Sequence, residues 1–341
     1  ASELKSLDKF PGFSNNINLE ALNQYLRLMY VPSPYSIYED IYKLEAGCMI
    51  RIKAETPPVK IPNAPLKLPV MSQNFKIEQW WSLEDAVKSG ISNQITDVDQ
   101  ANYEIEKQLK NSISLQSLSD VPLGAFLSGG IDSSVTSTIC ALTGKKTIVL
   151  SMPIKQIREQ HDLSLKHKNW LKEKFKNVED HLINLDLLFE TFKHSLTKFK
   201  NEHGMANSKA RLRMVTLYQV AAANNGIVVG TGNKIEDFGV GFYTKYGDGG
   251  VDISPIADCT KTQVWEMGEH LGLPEQIIKA DPTDGLWEDG RPDVSQLGMS
   301  YQDLEKAMMD ENSPDYKKYL EIRNRNLHKM KPIPVCKIKN D

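Results

Sequence analysis

Residues 121–144 read VPLGAFLSGGIDSSVTSTICALTG. Val121 to Leu127 is an apolar run of strand length, broken by Ser128-Gly129-Gly130 and followed by a Thr/Ser/Ala-rich segment. Such a run, closed by glycine and leading into a helix, reads as a strand–helix corner. Gly129 and Gly130 let the backbone turn tightly and approach an anion. The free N–H groups and positive dipole end of the next helix point at the same spot. Ser128, Ser133 and Ser134 add hydroxyl donors. Asp132 would repel a phosphate, unless it holds Mg²⁺ that bridges to the phosphates. No Lys stands where GxxxxGK[ST] needs one, so this is not a P-loop. On residue types alone the corner fits a plain turn equally well, with Gly for geometry and Ser and Asp for capping.

Working outward, Ala101, Ile105, Leu109 and Ile113 recur every four residues and predict a helix over 97–116, capped by Asp97 or Asp99. Further helices are expected at 132–143, 162–176 and 208–225, and strands at 121–127, 146–153, 181–187 and 226–232. The alternation predicts an α/β fold, a parallel sheet with helices on both faces. Ligands of such sheets bind beyond the carboxyl ends of strands, where the glycine corners 128–130 and 230–232 fall. Upstream, prolines at 57, 58, 62, 65 and 69 make 55–70 an extended linker or edge segment. The expected division is a mixed α+β segment, 1–95, before an α/β domain, 96–341.

The 341 residues are 40% hydrophobic and 25% charged, with a net charge of −3. This ordinary globular balance, without runs of like charge, gives no reason to expect nucleic acid or a membrane surface as partner. Cys48, Cys140, Cys259 and Cys336 are far apart and form no CxxC. Reduced thiols and a cytoplasmic location are expected. Without HExxH or a Cys/His cluster, catalytic zinc is not expected.

Ser128-Gly129-Gly130-Ile131-Asp132-Ser133 resembles the SGGxDS loop of the ATP pyrophosphatases. Downstream, ANSKARLRM (206–214), the block from Gly230 to Pro274 with YGDGGVD, PTDGL (282–286), DGRPDVSQLGMSY (289–301) and HKMKPIPV (328–335) resemble, in order, the ammonia-dependent NAD synthetases. Pro292 stands where that family more often has Thr. The resemblance implies an ATP-dependent carbon–nitrogen ligase of the adenine nucleotide alpha hydrolase-like fold. It would adenylate deamido-NAD with Mg-ATP and amidate the acyl-adenylate with ammonia, giving NAD, AMP and pyrophosphate. It also implies a homodimer.

The same resemblance assigns roles. Ser128, Gly129, Gly130, Ser133 and Ser134 would hold pyrophosphate, and Asp132 and Glu236 would bind Mg²⁺. Thr231, Lys261 and Thr283 would contact ATP, and Met152 would lie near adenine. Arg211, Lys245, Asp252, His328 and Lys329 would hold deamido-NAD, with Asp248 assisting. Asp132, Lys261, Asp252 and Asp248 are the expected catalytic set. Taken singly, each has a plain alternative: Lys245 and Lys329 as solvated lysines, YGDGG as a tight turn, Arg211 and Arg213 on a wet helix face, His328 as an exposed histidine.

Residues 1–127 differ. ASELKSL, LNQYLRLMYVPSPYSIYEDIYKLEAGCMIRI (23–52), WWSLEDAV (80–87) and SDVPLGAFLSGGIDSS (119–134) resemble asparagine synthetase B, from the tail of its glutaminase domain onward. The two resemblances meet inside SGGIDSS. The amino-terminal nucleophilic cysteine of that glutaminase is not matched, and Cys48 reads as a buried, inert thiol. Free ammonia is therefore the expected nitrogen source. The alternatives are an asparagine synthetase-type amidation of aspartate, or an inactive chimaera that only binds ATP.

Overall fold

The apolar and amphipathic segments form two units, residues 1–95 and 96–341. The computed structural model describes residues 4, 7, 11–53, 69–71, 75–116 and 122–334. Most of the proline stretch, Val121 and Cys336 lie outside the described residues.

The first unit contains α1 (Leu19–Leu28), β1 (Cys48–Ile52), β2 (Val70–Met71), β3 (Phe75–Gln79) and α2 (Leu83–Ser92). The strands pair antiparallel in the order β1-β3-β2. Asn18 and Ser82 start the two helices by accepting from Ala21 N at 3.0 Å and Asp85 N at 3.3 Å. One face of the sheet buries Cys48, Phe75 and Ile77 against Ile50. That is a small core for so many residues, and Trp80 and Tyr30 stay exposed.

The second unit runs α3 (Val98–Gln116), β4 (Leu123–Phe126), α4 (Ile131–Leu142), β5 (Thr147–Ser151), α5 (Arg158–Lys174), β6 (Val178–Leu182), α6 (Asp186–Ser195), α7 (Glu202–Ala223) and β7 (Ile227–Val229). A π-helical turn, Lys234–Val240, follows. Then come α8 (Lys261–His270), α9 (Glu275–Ile278), α10 (Asp293–Leu297), α11 (Tyr301–Met309) and α12 (Tyr316–Met330). All four strands are parallel, in the order β6-β5-β4-β7. The chain leaves β4 toward β5 on one side, while β7 lies on the other. The crevice between these directions opens at the carboxyl end of β4, where open α/β sheets bind ligands.

Side-chain alternation along the strands feeds two cores. Leu123 and Val229 face Ile113, Val135, Ile139, Val264 and Met267. Ile148, Leu150 and Val228 face Phe189, Met214, Leu217 and Ala221. Every residue of β5 is buried, as a strand covered on both faces requires. A third core joins the π-helical turn to α11 and α12 through Ile235, Val240, Tyr301, Leu304 and Ile322. Among the described residues no helix is long and apolar enough to cross a membrane.

The expected helices and strands occur, mostly with small shifts at their ends. Asp97, rather than Asp99, caps α3, accepting from Gln100 N at 2.7 Å. The strand expected over 181–187 is instead Val178–Leu182. The reason is Asn184: its Oδ1 accepts from Asp186 N at 2.8 Å, a local turn that ends extension and opens α6. Helix α7 begins at Glu202, six residues earlier than expected, because Asn201 caps it through Gly204 N at 2.7 Å.

Candidate active site

The corner between β4 and α4 is built from its own polar groups. Gly129 has φ of 94°, and a Cβ there would lie 2.6 Å from Gln160 O, so only glycine fits. Gly130 precedes α4 without a side-chain cap, leaving the first N–H groups available. Ser128 Oγ meets Ser133 Oγ at 3.0 Å and accepts from Gly130 N at 3.3 Å. Ser134 turns inward and donates to Gly130 O at 2.9 Å, so it braces the corner rather than facing the crevice.

Asp132, Lys261 and Glu236 come together from the starts of α4, α8 and the π-helical turn. Lys261 Nζ donates to Asp132 Oδ2 at 2.5 Å and to Glu236 Oε1 at 2.8 Å. Lys261 is only 1% exposed. Burial opposes its charge, yet the two carboxylates outweigh that and raise its pKa. Burial pushes Asp132 up, against the pull of Lys261. Glu236 is drawn down by Lys261 and Tyr301 despite burial. Two acids facing one ammonium leave one negative charge in excess.

Four residues to which the sequence assigned no role in the site hold this cluster or border it, one of them Arg213, which is buried rather than on a wet helix face. Asn233 Oδ1 caps the π-helical turn through the N–H groups of Ile235 and Glu236, both at 3.0 Å. Its amide donates to Asp132 Oδ1 at 2.9 Å. The Tyr301 hydroxyl lies 2.6 Å from Glu236 Oε1 and 3.0 Å from Asp293 Oδ2. Asp293 is 4% exposed, and its Oδ1 has no hydrogen-bond partner among the described residues. Burial, then the nearby Glu236, pushes Asp293 up to about 7. Arg213 is buried, donates from Nε to Met152 O at 3.0 Å and lies over the Phe126 ring.

A cavity of about 150 Å³ joins these groups, bordered by Ser128, Asp132, Arg213, Thr231, Glu236, Asp248, Lys261, Thr283 and Asp293 among others. Solvent reaches Asp248 in the cleft, yet protein walls crowd it and push its carboxyl up to about 6. Its Oδ1 accepts from Thr244 N at 3.0 Å. Gly249 in the same turn is required because a Cβ would meet the Tyr243 ring at 2.3 Å. Thr283 Oγ1 accepts from Gln160 and donates to Arg291 O at 3.2 Å.

The other expected residues form a rim. Arg211 Nε donates to Lys245 O at 3.2 Å, and Lys245 Nζ to His328 O at 3.2 Å. Lys329 Nζ donates to Gly241 O at 2.9 Å and Tyr243 O at 2.8 Å. His328 thus enters the network through its carbonyl. Asp252 is tied elsewhere, accepting from Tyr218 OH at 3.1 Å and Val228 N at 2.8 Å. The Met152 side chain is packed in the core on the α7 side of the sheet and does not itself line the cavity, although Met214 and Leu217 of the same core do. The apolar strand end that was expected to face adenine is the end that continues this core.

Comparison with known proteins adds a family to this geometry. Residues 102–337, more than half of the chain, match the family model described as NAD synthase. Residues 1–60 match one described as glutamine amidotransferase domain. The NH(3)-dependent NAD(+) synthetase of Carboxydothermus hydrogenoformans is 37% identical over 214 residues, 61% of this chain and 85% of that protein. That of Methanosarcina acetivorans is 33% identical, over 70% of this chain and 98% of that protein. The solved structure of NMN synthetase from Francisella tularensis has a TM-score of 0.64 at 30% identity, covering 70% of this chain and 99% of that one. The NH3-dependent NAD synthetase of Campylobacter jejuni, at 23% identity and a TM-score of 0.55, shares the fold over 71% of this chain and all of that one.

Proposed function

The chain belongs to the NAD synthase family, and from that premise we propose that it makes NAD from deamido-NAD, ATP and ammonia. A carboxylate resists ammonia because its carbonyl carbon is electron-rich. Attack of a carboxylate oxygen on the α-phosphorus of ATP forms the acyl-adenylate and expels pyrophosphate. Ammonia then adds to the activated carbonyl, loses a proton, and AMP departs. The observation that carries this reading is the Asp132–Lys261–Glu236 cluster beside an uncapped helix start at a strand end.

In this reading Ser128, Ser133 and the first N–H groups of α4 hold the departing pyrophosphate, where charge stabilisation acts most strongly. Thr231 and Thr283 position ATP from the two sides of the cavity. Asp132 and Glu236 would hold Mg²⁺. Their hard oxygens already converge on a cation, the Lys261 ammonium, and Mg²⁺ needs only one or two carboxylates plus phosphates and water. Bound there, it supplies neutralisation of the phosphate charge. With the acids so engaged, the Lys261 ammonium would be available to the phosphates. Asp248, pushed up to about 6, is ionised at neutral pH and accepts the proton that ammonia loses. Arg211, Lys245 and Lys329 attract the dinucleotide phosphates. Exposed Val215 and Tyr246 beside Arg211 are the face we assign to a homodimer contact. We place the protein in the cytoplasm, where its cysteines stay reduced.

The match of residues 1–60 to a glutamine amidotransferase model supports reading 1–95 as an asparagine-synthetase-like segment, and with Cys48 buried we keep ammonia as the nitrogen donor. A mononucleotide substrate is the second reading, favoured by the likeness to the Francisella NMN synthetase. The test is incubation with Mg-ATP, ammonium and, separately, deamido-NAD, nicotinic acid mononucleotide or aspartate. AMP and pyrophosphate released with deamido-NAD support the proposal. Turnover only with the mononucleotide selects the second reading, and turnover only with aspartate overturns both.

A further inference from the structure

Arg213 reaches inward from α7 and is 5% exposed. Its Nε is occupied by the Met152 carbonyl. Among the described residues, Nη1 and Nη2 have no hydrogen-bond or ion-pair partner. Asp248 and Asp284 lie near enough to act on this guanidinium but no carboxylate is in contact with it, so the unfilled edge of its fork, beside the cavity, can take an anion. Phe126 stacks on the guanidinium and fixes its plane.

We propose that Arg213 recognises the ring carboxylate of the substrate and distinguishes acid from amide. This rests on the amidation reading above and names the residue that gives it selectivity. The reactants carry three kinds of anion. The triphosphate has the serine corner and Lys261, and the sugar phosphates have the rim cations. Only the ring carboxylate lacks a partner.

The walls near Arg213 suit that group. Phe126, Met214, Leu217, Val229, Phe242 and Val251 border the same cavity. A phosphate there would lose hydration without enough donors, whereas a pyridine ring gains from apolar walls. A pyridinium 3-carboxylate is a zwitterion. The planar fork of Arg213 matches its carboxylate bidentately. Asp248, also bordering the cavity, supplies negative charge for the ring nitrogen. After amidation the carboxylate is gone, the charge-assisted pair is lost and the product is held less tightly.

The test is calorimetric titration of the full chain and its Arg213→Gln and Arg213→Lys variants with deamido-NAD, nicotinic acid mononucleotide, NAD and ATP. The wild type is expected to prefer acid over amide, and Arg213→Gln to lose about tenfold to a hundredfold of that preference with ATP nearly unchanged. Arg213→Lys, keeping the charge but not the fork, should fall between. The deamido-NAD and mononucleotide arms show which nucleotide bears the recognised ring. An unchanged acid-to-amide ratio in either variant overturns the proposal. So does weakened ATP binding at constant ratio, which would assign Arg213 to adenine. Circular dichroism and thermal melting check folding, and if the Gln variant does not fold the Lys variant decides. Wild type that shows no ATP–pyrophosphate exchange with either acid nucleotide defeats the amidation reading and this proposal together. Exchange with an unchanged ratio defeats this proposal alone.

Discussion

Lys261 and Lys329 are two lysines of one domain held in opposite ways. Lys261 is 1% exposed and lies between two carboxylates, which raise its pKa against burial. Lys329 is bound by two backbone carbonyls, and burial lowers its pKa. The distinction extends to their neighbourhoods. The inner cluster has two acids for one ammonium and an excess of negative charge. Arg211, Lys245 and Lys329 at the rim all donate to carbonyl oxygens and, among the described residues, make no ion-pair contact, although Asp248 and Asp237 lie near enough to act on Lys329. Carbonyl dipoles orient a cation without neutralising it. The inner cluster therefore suits a metal ion, and the rim suits the phosphates of a nucleotide.

The strongest way to break this contrast is to remove an inner acid. Asp132→Asn and Glu236→Gln should each lower ATP–pyrophosphate exchange by about a thousandfold, since a lost metal ligand forfeits several kcal/mol of charge stabilisation. Exchange near the parental rate in both variants would falsify the metal assignment. Lys261→Met probes the same cluster through stability. It leaves two buried acids without their counter-ion, a change expected to cost about 3–5 kcal/mol in denaturant unfolding. It should also tighten Mn²⁺ binding in the absence of nucleotide, read by electron paramagnetic resonance. A variant as stable as the parent, with no gain in Mn²⁺ affinity, would show that the cluster carries no excess charge.

Asp293 tests the inner region through pH. Its carboxyl is raised to about 7 in the folded protein, above its unfolded value. The folded state then binds the extra proton, so this stabilisation is complete below the unfolded pKa and is lost as pH rises through about 7. Asp293→Asn should remove that slope and melt higher than the parent at pH 8. Parallel melting curves for the two proteins from pH 5 to 8 would contradict the shift. At the rim, Arg211→Ala and Lys245→Ala should each weaken deamido-NAD by about 1.5–3 kcal/mol while leaving ATP unchanged. Equal losses for both ligands would erase the division between rim and interior.

Much of the inner site is legible because it is local. The corner 128–134 encodes its turn, its free helix end and its hydroxyls in seven adjacent residues. Lys261 bridging Asp132 and Glu236 is not local: the two bonds span 129 and 25 residues. Residue types at both ends suggest roles, but only the sheet brings them together. Arg213, read with Arg211 as lying on a wet helix face, is buried instead, and two residues apart on a helix is the change of face that separates them. Tyr301 and Asp293 fall inside the block 289–301 that carries the resemblance but receive no role from it, because a buried hydrogen-bond chain leaves no spacing signature. Met152 shows the opposite limit: an apolar residue at a strand end fits a ligand wall and a core equally, and its side chain is packed in a core.

The smallest expected effect belongs to Cys48, in the first unit. It lies in β1, opposite Gln79 of β3, and packs with Phe75 and Ile77. Burial, then Glu45, pushes its thiol up, and Sγ points toward Ala46 O at 3.7 Å. A glutaminase nucleophile must be a thiolate with access to an amide carbon, which calls for a lowered pKa and an open site. Cys48 has neither. Cys48→Ala should therefore leave the ammonia-dependent rate unchanged and reduce stability only by the loss of one small buried side chain. Glutamine, freed of contaminating ammonia, should support no faster NAD formation than the blank, in parent and variant alike. A glutamine-driven rate that disappears with Cys48→Ala would place the nitrogen chemistry in the first unit.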